Sequence, residues 1–499
     1  MTGADSADAG AVRDPDEPPA RPWVRWVGIT LALAAFVLFA VYPSALHQIP
    51  GYGRRPALAA ATAALMAVLW LFEAIPISVT ACLPLVLYPV LGVYGGSFAD
   101  GAKKAALPFT DAYIFLFFGG MIIGGAMEQQ HLHRRVALHI LRAVGTRPGR
   151  LLFGMLLATA FVSLWISNTA TAVMMVPISV ALLRELESGE GKRLSSFGCA
   201  LLLAVAYGSN VGGIGTKIGT ATNSIFLGFV TEKMKVDIGF LRYLAFGLPF
   251  VILFLPIVWG VLWGMARRDR ITSDRGREVI DRELAAMGKL RGDERLVAIV
   301  FGIAALCWIF GDFLRPLATP ALSAILRAPA SGKHYEAAVS VLAGAALIAT
   351  RTIGWAAFRR IPWSTLLLLG GSFAMASGIE ASGLGQWMAA RFVRVAEMPF
   401  PAQVGLTALG TVALSAVASN TATMNIALNV LPRSLPVLSA SAIAASCDFM
   451  LPAGTPPNAI VFGSGAIRLP VMMRVGFVLD LLAVLAITAY VIVYGRHVL

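Results

Sequence analysis

Ser167-Asn168-Thr169-Ala170-Thr171 and Ser419-Asn420-Thr421-Ala422-Thr423 are two copies of one pentapeptide, 252 positions apart. Each follows a predominantly apolar run, Leu151 to Ile166 in the first half and Val404 to Ala418 in the second. Neither run reaches the ~20 residues that a bilayer crossing needs. Each copy is therefore expected at the tip of a re-entrant hairpin, between two arms too short to span the membrane. Irregular polar backbone is tolerated at that depth only where it is buried in protein or lines a watery cavity. The tips read as a solute site.

The rest of the chain fits that setting. Of its 499 residues, 58% are hydrophobic and 13% charged, and the mean hydropathy is +0.76, values of a polytopic membrane protein. The net charge of +13 is spread over short loops, where it reports membrane orientation and not nucleic-acid binding. Cys82, Cys199, Cys307 and Cys447 sit in apolar runs with no CxxC spacing, which gives neither a disulfide framework nor a zinc site.

Residues 1–22, rich in Asp, Pro, Ala and Gly, lack apolar periodicity and a signal-peptide pattern, and read as a disordered cytoplasmic tail. Spans are expected at Trp26–Ser44, Pro56–Phe72, Ile77–Tyr94 and Tyr113–Met127. A basic amphipathic stretch from His131 to Arg150 follows, as a helix on the cytoplasmic surface. The first hairpin enters from that side and returns at Arg184. A fifth span starts near Phe197, breaks from Gly208 to Asn223 and ends near Val230; a sixth, Tyr243–Met265, returns to the basic loop Arg267 to Arg295. Spans at Leu296–Ile309, Ala337–Ala349 and Thr365–Ile379, the second hairpin, a span ten broken at Leu451 to Asn458, and a last span, Val471–Val493, complete the chain.

Five spans separate the pentapeptides, an odd number, so the hairpins enter from opposite faces: an inverted repeat. The breaks at Thr220 and Thr455 are 235 positions apart, close to the pentapeptide spacing. Broken helices and inverted repeats are the signature of secondary transporters.

The residue types fit an anion carried with a cation. Helix N-termini attract anions and freed carbonyls suit cations. Ser and Thr hydroxyls donate to carboxylate or sulfate oxygens, and an Asn side chain serves either sign. The Gly213-Ile-Gly215-Thr-Lys-Ile-Gly219 run is not a nucleotide loop, having one residue too many for GxGxxG and the wrong order for GK[ST]. No nucleophile with a base and no histidine pair on a span is present, which argues against an enzyme. Hairpins from both faces argue for alternating closure and against a channel. Lys217, Asp448 and Asp480 are intramembrane charges that require an account.

The chain resembles the divalent anion:sodium symporters, the family of sodium-dependent dicarboxylate and citrate carriers. The resemblance runs from about residue 57 onward. It rests on Leu71-Phe-Glu73-Ala-Ile-Pro76, on Leu156 through Ser163-Leu-Trp-Ile-Ser167-Asn168-Thr169-Ala-Thr171, on Ile361-Pro-Trp363 with Gly370-Gly371 and Ser382-Gly383-Leu384, and on Asp448-Phe-Met-Leu-Pro-Ala-Gly454-Thr455-Pro456-Pro457-Asn458 through Gly463.

The resemblance implies an all-α elevator-type homodimer with 11 spans, two re-entrant hairpins and two broken helices. In it, transport-domain parts 151–266 and 401–499 slide against scaffold parts 23–150 and 296–400, with 267–295 a cytoplasmic loop. It implies substrate contacts from Ser167, Asn168, Thr169 and Thr220 and from Ser419, Asn420, Thr421, Thr455 and Pro456. It further implies one sodium site at Ser163, Asn168 and Gly219 and a second at Ser415, Ala418, Asn420 and Gly454. The first break departs from the family's Gly-Ser/Thr-Pro-Pro-Asn or Gly-Thr-Gly-Pro-Asn, reading Gly219-Thr220-Ala221-Thr222-Asn223, and Lys217 sits where an apolar residue is common. Two roles stay open for Lys217: reaching water or headgroups, or standing beside the first cation site in part of a sodium ion's place, with Asp448 as its partner when substrate is absent. The expected function is Na⁺-coupled import of small dianions, chiefly succinate, malate or fumarate, through a bacterial inner membrane with the N-terminus cytoplasmic. A dicarboxylate exchanger or a sulfate carrier is the alternative.

Overall fold

A computed structural model describes residues 22–42, 46, 49, 51–186, 195–267, 269, 274–326, 331–359, 361–391, 397–452 and 454–499. The expected tail lies outside the described residues apart from Pro22. Among the described residues every regular element is a helix.

The first group comprises α1 (Pro22–Val41), α2 (Arg55–Leu71), α3 (Ile77–Val90), α4 (Phe98–Ala106) and α5 (Ala112–Gln129). Ser97 and Asp111 start α4 and α5 by accepting backbone N–H bonds from Asp100 and Tyr113. Next come α6 (Leu132–Val144), α7 (Pro148–Ser163), α8 (Asn168–Leu186), α9 (Ser196–Gly213), α10 (Ala221–Phe229) and α11 (Phe240–Ala266). They are followed by α12 (Asp274–Met287), α13 (Gly292–Ile309), α14 (Gly311–Leu326), α15 (Gly332–Ala349), α16 (Trp355–Arg359), α17 (Trp363–Ala381) and α18 (Leu384–Arg391). The last group is α19 (Phe400–Ser415), α20 (Asn420–Val430), α21 (Leu435–Ala444), α22 (Pro456–Gly463) and α23 (Leu469–Tyr490).

Among the described residues seven helical stretches are long and apolar enough to cross a membrane, or eight if α13 and α14, bent by 92°, form one span. Side chains such as Val37, Ile252 and Leu485 are exposed on these stretches, a surface that suits lipid. α5 and α15 pack against each other because Gly119 leaves no side chain between them; a Cβ there would fall 2.4 Å from the Ser340 backbone.

Several expectations need correction. The second arm of the first hairpin, α8, has 19 residues and is itself long enough to cross, although Pro177 interrupts it. The other arms, α7, α19 and α20, have 16, 16 and 11 residues and are short as expected. Helix α9 continues through the glycines to Gly213, so the first break is narrower than Gly208 to Asn223. The second is wider, running from the end of α21 at Ala444 to the cap of α22 at Thr455. The stretch between spans seven and eight contains α14, hidden in the sequence by Pro316 and Pro320. The basic loop contains α12, whose Asp281 and Glu283 pair with Arg142 and Arg134 of α6. Arg135 pairs with Glu294, so the two basic segments pack together.

Candidate functional site

The two pentapeptides build the same structure twice. Each begins a helix: the Ser167 hydroxyl accepts from the Ala170 N–H at the start of α8, and Ser419 accepts from Ala422 at the start of α20, both at 3.4 Å. The remaining first-turn N–H groups have no partner inside their helix and form an anion-attracting end.

Beneath each tip, oxygens gather. Ser163 Oγ lies 2.9 Å from Asn168 Oδ1 and 2.7 Å from the Ser209 carbonyl. Ser415 Oγ lies 3.0 Å from Asn420 Oδ1 and 2.9 Å from the Ala445 carbonyl. One hydroxyl proton serves only one acceptor at a time, so each set holds three oxygens around a single proton. Such sets suit a hard cation such as Na⁺. Among the described residues no group of three or more His, Cys, Asp or Glu side chains could hold a metal ion; the oxygens gathered beneath the tips are those of amides, hydroxyls and carbonyls.

The breaks are pinned by two asparagines that sequence reasoning passed over as ligand holders. Asn223 Nδ2 donates to the carbonyls of Gly213 at 2.8 Å and Thr216 at 2.6 Å. Asn458 Nδ2 donates to those of Asp448 at 3.2 Å and Leu451 at 3.1 Å. All three pairs of equivalent residues are 235 positions apart. Gly219 and Gly454 are needed for close approach: a Cβ on the first would fall 2.5 Å from the Gly213 oxygen, and on the second 1.7 Å from Asp448 Oδ2.

The halves are joined directly. Asn210 Nδ2 donates to Thr455 Oγ1 at 3.0 Å and Asn458 Oδ1 at 3.3 Å, and the Thr222 and Ser446 hydroxyls lie 3.2 Å apart. Helix α10 packs on α20, and α22 on α8 and α9.

Of the expected substrate residues, Ser167, Asn168, Thr169, Thr220, Ser419, Asn420 and Thr421 are half-buried and Pro456 is exposed. Thr455 is buried, and its hydroxyl oxygen accepts from Asn458 N and Asn210 Nδ2. It caps α22. The expected cation residues Ser163, Ser415, Ala418 and Gly454 are all buried. The last Thr of each pentapeptide, Thr171 and Thr423, has a buried hydroxyl without a partner among the described residues.

Lys217 requires the largest correction. It neither reaches water nor meets Asp448. Fully buried, it places Nζ 2.8 and 2.7 Å from the two carboxylate oxygens of Glu336 on α15, with the Tyr113 ring centroid 5.7 Å away. Among the described residues Asp448 has no hydrogen-bond partner for either carboxylate oxygen.

Paired half-helices, doubled tips and oxygen sets between them define a membrane carrier of the broken-helix class. The chain belongs to the sodium:sulfate symporter family, whose transmembrane region matches residues 24–499. It is 35% identical over 450 residues to the sodium-dependent dicarboxylate transporter SdcS of Staphylococcus saprophyticus, covering 85% of this chain and 83% of that one. To the SdcS of Staphylococcus aureus it is 33% identical over 455 residues, with the same coverage. Among solved structures it is similar to the Alcanivorax borkumensis YdaH transporter, at a TM-score of 0.54 and 15% identity, covering 84% of this chain and 98% of that one. At that identity the likeness concerns the fold alone.

Proposed function

We propose that the protein is a sodium-coupled carrier of small dianions, with C4-dicarboxylates such as succinate, malate and fumarate as substrates. The observation that carries this reading is the pair of matched oxygen sets, Ser163/Asn168/Ser209 and Ser415/Asn420/Ala445, each directly under a helix N-terminus capped by Ser167 or Ser419. The helix ends and the Thr169 and Thr421 hydroxyls receive the two carboxylates; the oxygen sets take Na⁺ at Ser163, Asn168 and Gly219 and at Ser415, Ala418, Asn420 and Gly454. The relatives named as sodium-dependent dicarboxylate transporters support the choice of cation and substrate.

In this reading the chain makes 11 crossings with two hairpins in inverted orientation, N-terminus cytoplasmic, in a multi-pass cell membrane. It works as a homodimer in which 151–266 and 401–499 move as one body against 23–150 and 296–400. The hydrogen bonds from Asn210 and Thr222 to the second half support movement of the two site-bearing parts together. Lys217 does not stand in for a sodium ion, because Glu336 already neutralises its charge; this favours symport over Na⁺-independent exchange. Uptake of labelled succinate, citrate and sulfate into proteoliposomes, with Na⁺ or choline outside, tests the proposal. Succinate uptake that requires Na⁺ is expected; equal uptake in choline refutes it.

A further inference from the structure

We propose that the Asp448 carboxylate is a ligand of the second cation site, so that this site, unlike the first, carries a formal negative charge. The inference rests on the sodium-coupled reading above and adds a ligand to it.

Asp448 is fully buried, and neither of its carboxylate oxygens has a hydrogen-bond partner among the described residues. Among the described residues no side chain forms an ion pair with it. The nearby acid Asp480 is already engaged, accepting from the Phe449 N–H at 2.8 Å. The Tyr207 hydroxyl donates elsewhere, to the Phe449 carbonyl. Lys217, the cation in the other break, is committed to Glu336. A buried carboxylate left bare in this way is strongly unfavourable, and native structures relieve it with a proton or a cation.

The internal repeat shows where the carboxylate belongs. Because Asn223 holds the Gly213 carbonyl as Asn458 holds that of Asp448, Asp448 occupies in the second half the place of Gly213 in the first. A Cβ added to Gly213 would fall 2.2 Å from Asn168 Oδ1. A side chain at position 213 would thus meet the asparagine of its own oxygen set, and the equivalent asparagine in the second half is Asn420. The neighbouring glycine tells the same story. Gly219 faces the Gly213 carbonyl oxygen, whereas a Cβ on Gly454 would fall 1.7 Å from Asp448 Oδ2 and 2.7 Å from Oδ1. Where the first half offers a neutral carbonyl, the second offers a carboxylate.

A hard oxygen anion added to the Ser415, Ala418, Asn420 and Gly454 set strengthens monovalent-cation binding before any substrate arrives. The second site therefore fills at lower Na⁺ than the first and prepares the tip for the dianion.

Equilibrium binding of labelled Na⁺ to the purified full-length protein, without substrate, tests this in the wild type and in Asp448→Asn. The expected result is at least a tenfold loss of affinity for the tighter Na⁺ in the variant. If Asp448→Asn does not fold, Asp448→Gly, which restores the first-half residue, takes its place. As an independent readout, the Na⁺-minus-choline infrared difference spectrum of the wild type should contain an ionised-carboxylate band that the variant lacks. Wild-type affinity in the folded variant, or a wild-type spectrum with no carboxylate change, overturns the assignment. A wild type that binds no Na⁺ at all refutes instead the sodium-coupled reading on which it rests.

Discussion

Lys217 and Glu336 form a buried bidentate ion pair, 2.7 and 2.8 Å between Nζ and the two carboxylate oxygens, that ties the first broken helix to α15. The pair joins residues 119 positions apart, one in the first break and one on a helix that packs against α5. Trp308 Nε1 donates to the Glu336 carbonyl, which fixes that residue's backbone as well.

Removing one partner of such a pair leaves a bare buried charge, and the loss is about 3–5 kcal/mol. Lys217→Leu alone is therefore expected to yield poorly folded protein, whereas Lys217→Leu with Glu336→Leu should recover most of the stability. Thermal denaturation of detergent-purified single and double variants reads the difference. In the folded double variant the Na⁺ Hill slope of succinate uptake should match the wild type, since the lysine charge is not used for the cation. A steeper Na⁺ dependence there would return Lys217 to the role of a sodium substitute.

The tips themselves were legible from a repeated pentapeptide between apolar arms, and the resemblance added the two sets of cation residues. The partner of Lys217 was not legible. Glu336 stands just after Lys333-His334-Tyr335, where a charge reads as a solvated helix start, and no local pattern links it to residue 217. Asn210, Asn223 and Asn458 were visible as polar residues in the breaks, but which carbonyl each amide holds depends on how the chain folds back, which spacing does not give. α14 was missed for a different reason: its two prolines, Pro316 and Pro320, imitate a loop although the helix runs through them.

Thr169 and Thr421 provide a direct test of substrate contact. Thr→Val keeps the side-chain shape and removes only the hydroxyl, so each change should weaken succinate binding by about 1 to 3 kcal/mol, the cost of a lost bond to a charged group. Competition for labelled succinate measures it. If both variants keep wild-type affinity, the hydroxyls do not touch the anion.

Single cysteines at Ser167 and Ser419, in a background lacking Cys82, Cys199, Cys307 and Cys447, should react with a membrane-impermeant maleimide from opposite faces, and succinate with Na⁺ should protect both. Reaction of both from one face in every condition would show that the two hairpins do not enter in inverted orientation.

A pH experiment follows from the cluster at the start of α15, where Lys333 Nζ lies 2.7 Å from Asp111 and 2.8 Å from Glu232. Burial pushes the Glu232 carboxyl up, but the hydrogen bond and charge of Lys333, with Lys235 and Lys233, hold it below its ordinary value. Burial likewise pushes the Lys333 ammonium down, and its two acids more than reverse this. The depressed carboxyl contributes stability that is present above its ordinary value of 4.5 and is lost as pH falls through the lower folded value. The raised ammonium contributes stability that is present below 10.5 and is lost as pH rises through the higher folded value. Lys333→Met should therefore lower the melting temperature by a constant amount between about pH 6 and 9, where Lys333 and Glu232 are charged in both states. The difference from wild type should shrink on strong acidification, as Glu232 takes up a proton and the pair is lost in the wild type too. A melting difference that persists unchanged below the carboxylate range would mean that the lysine stabilises by packing its alkyl chain and not by its charge.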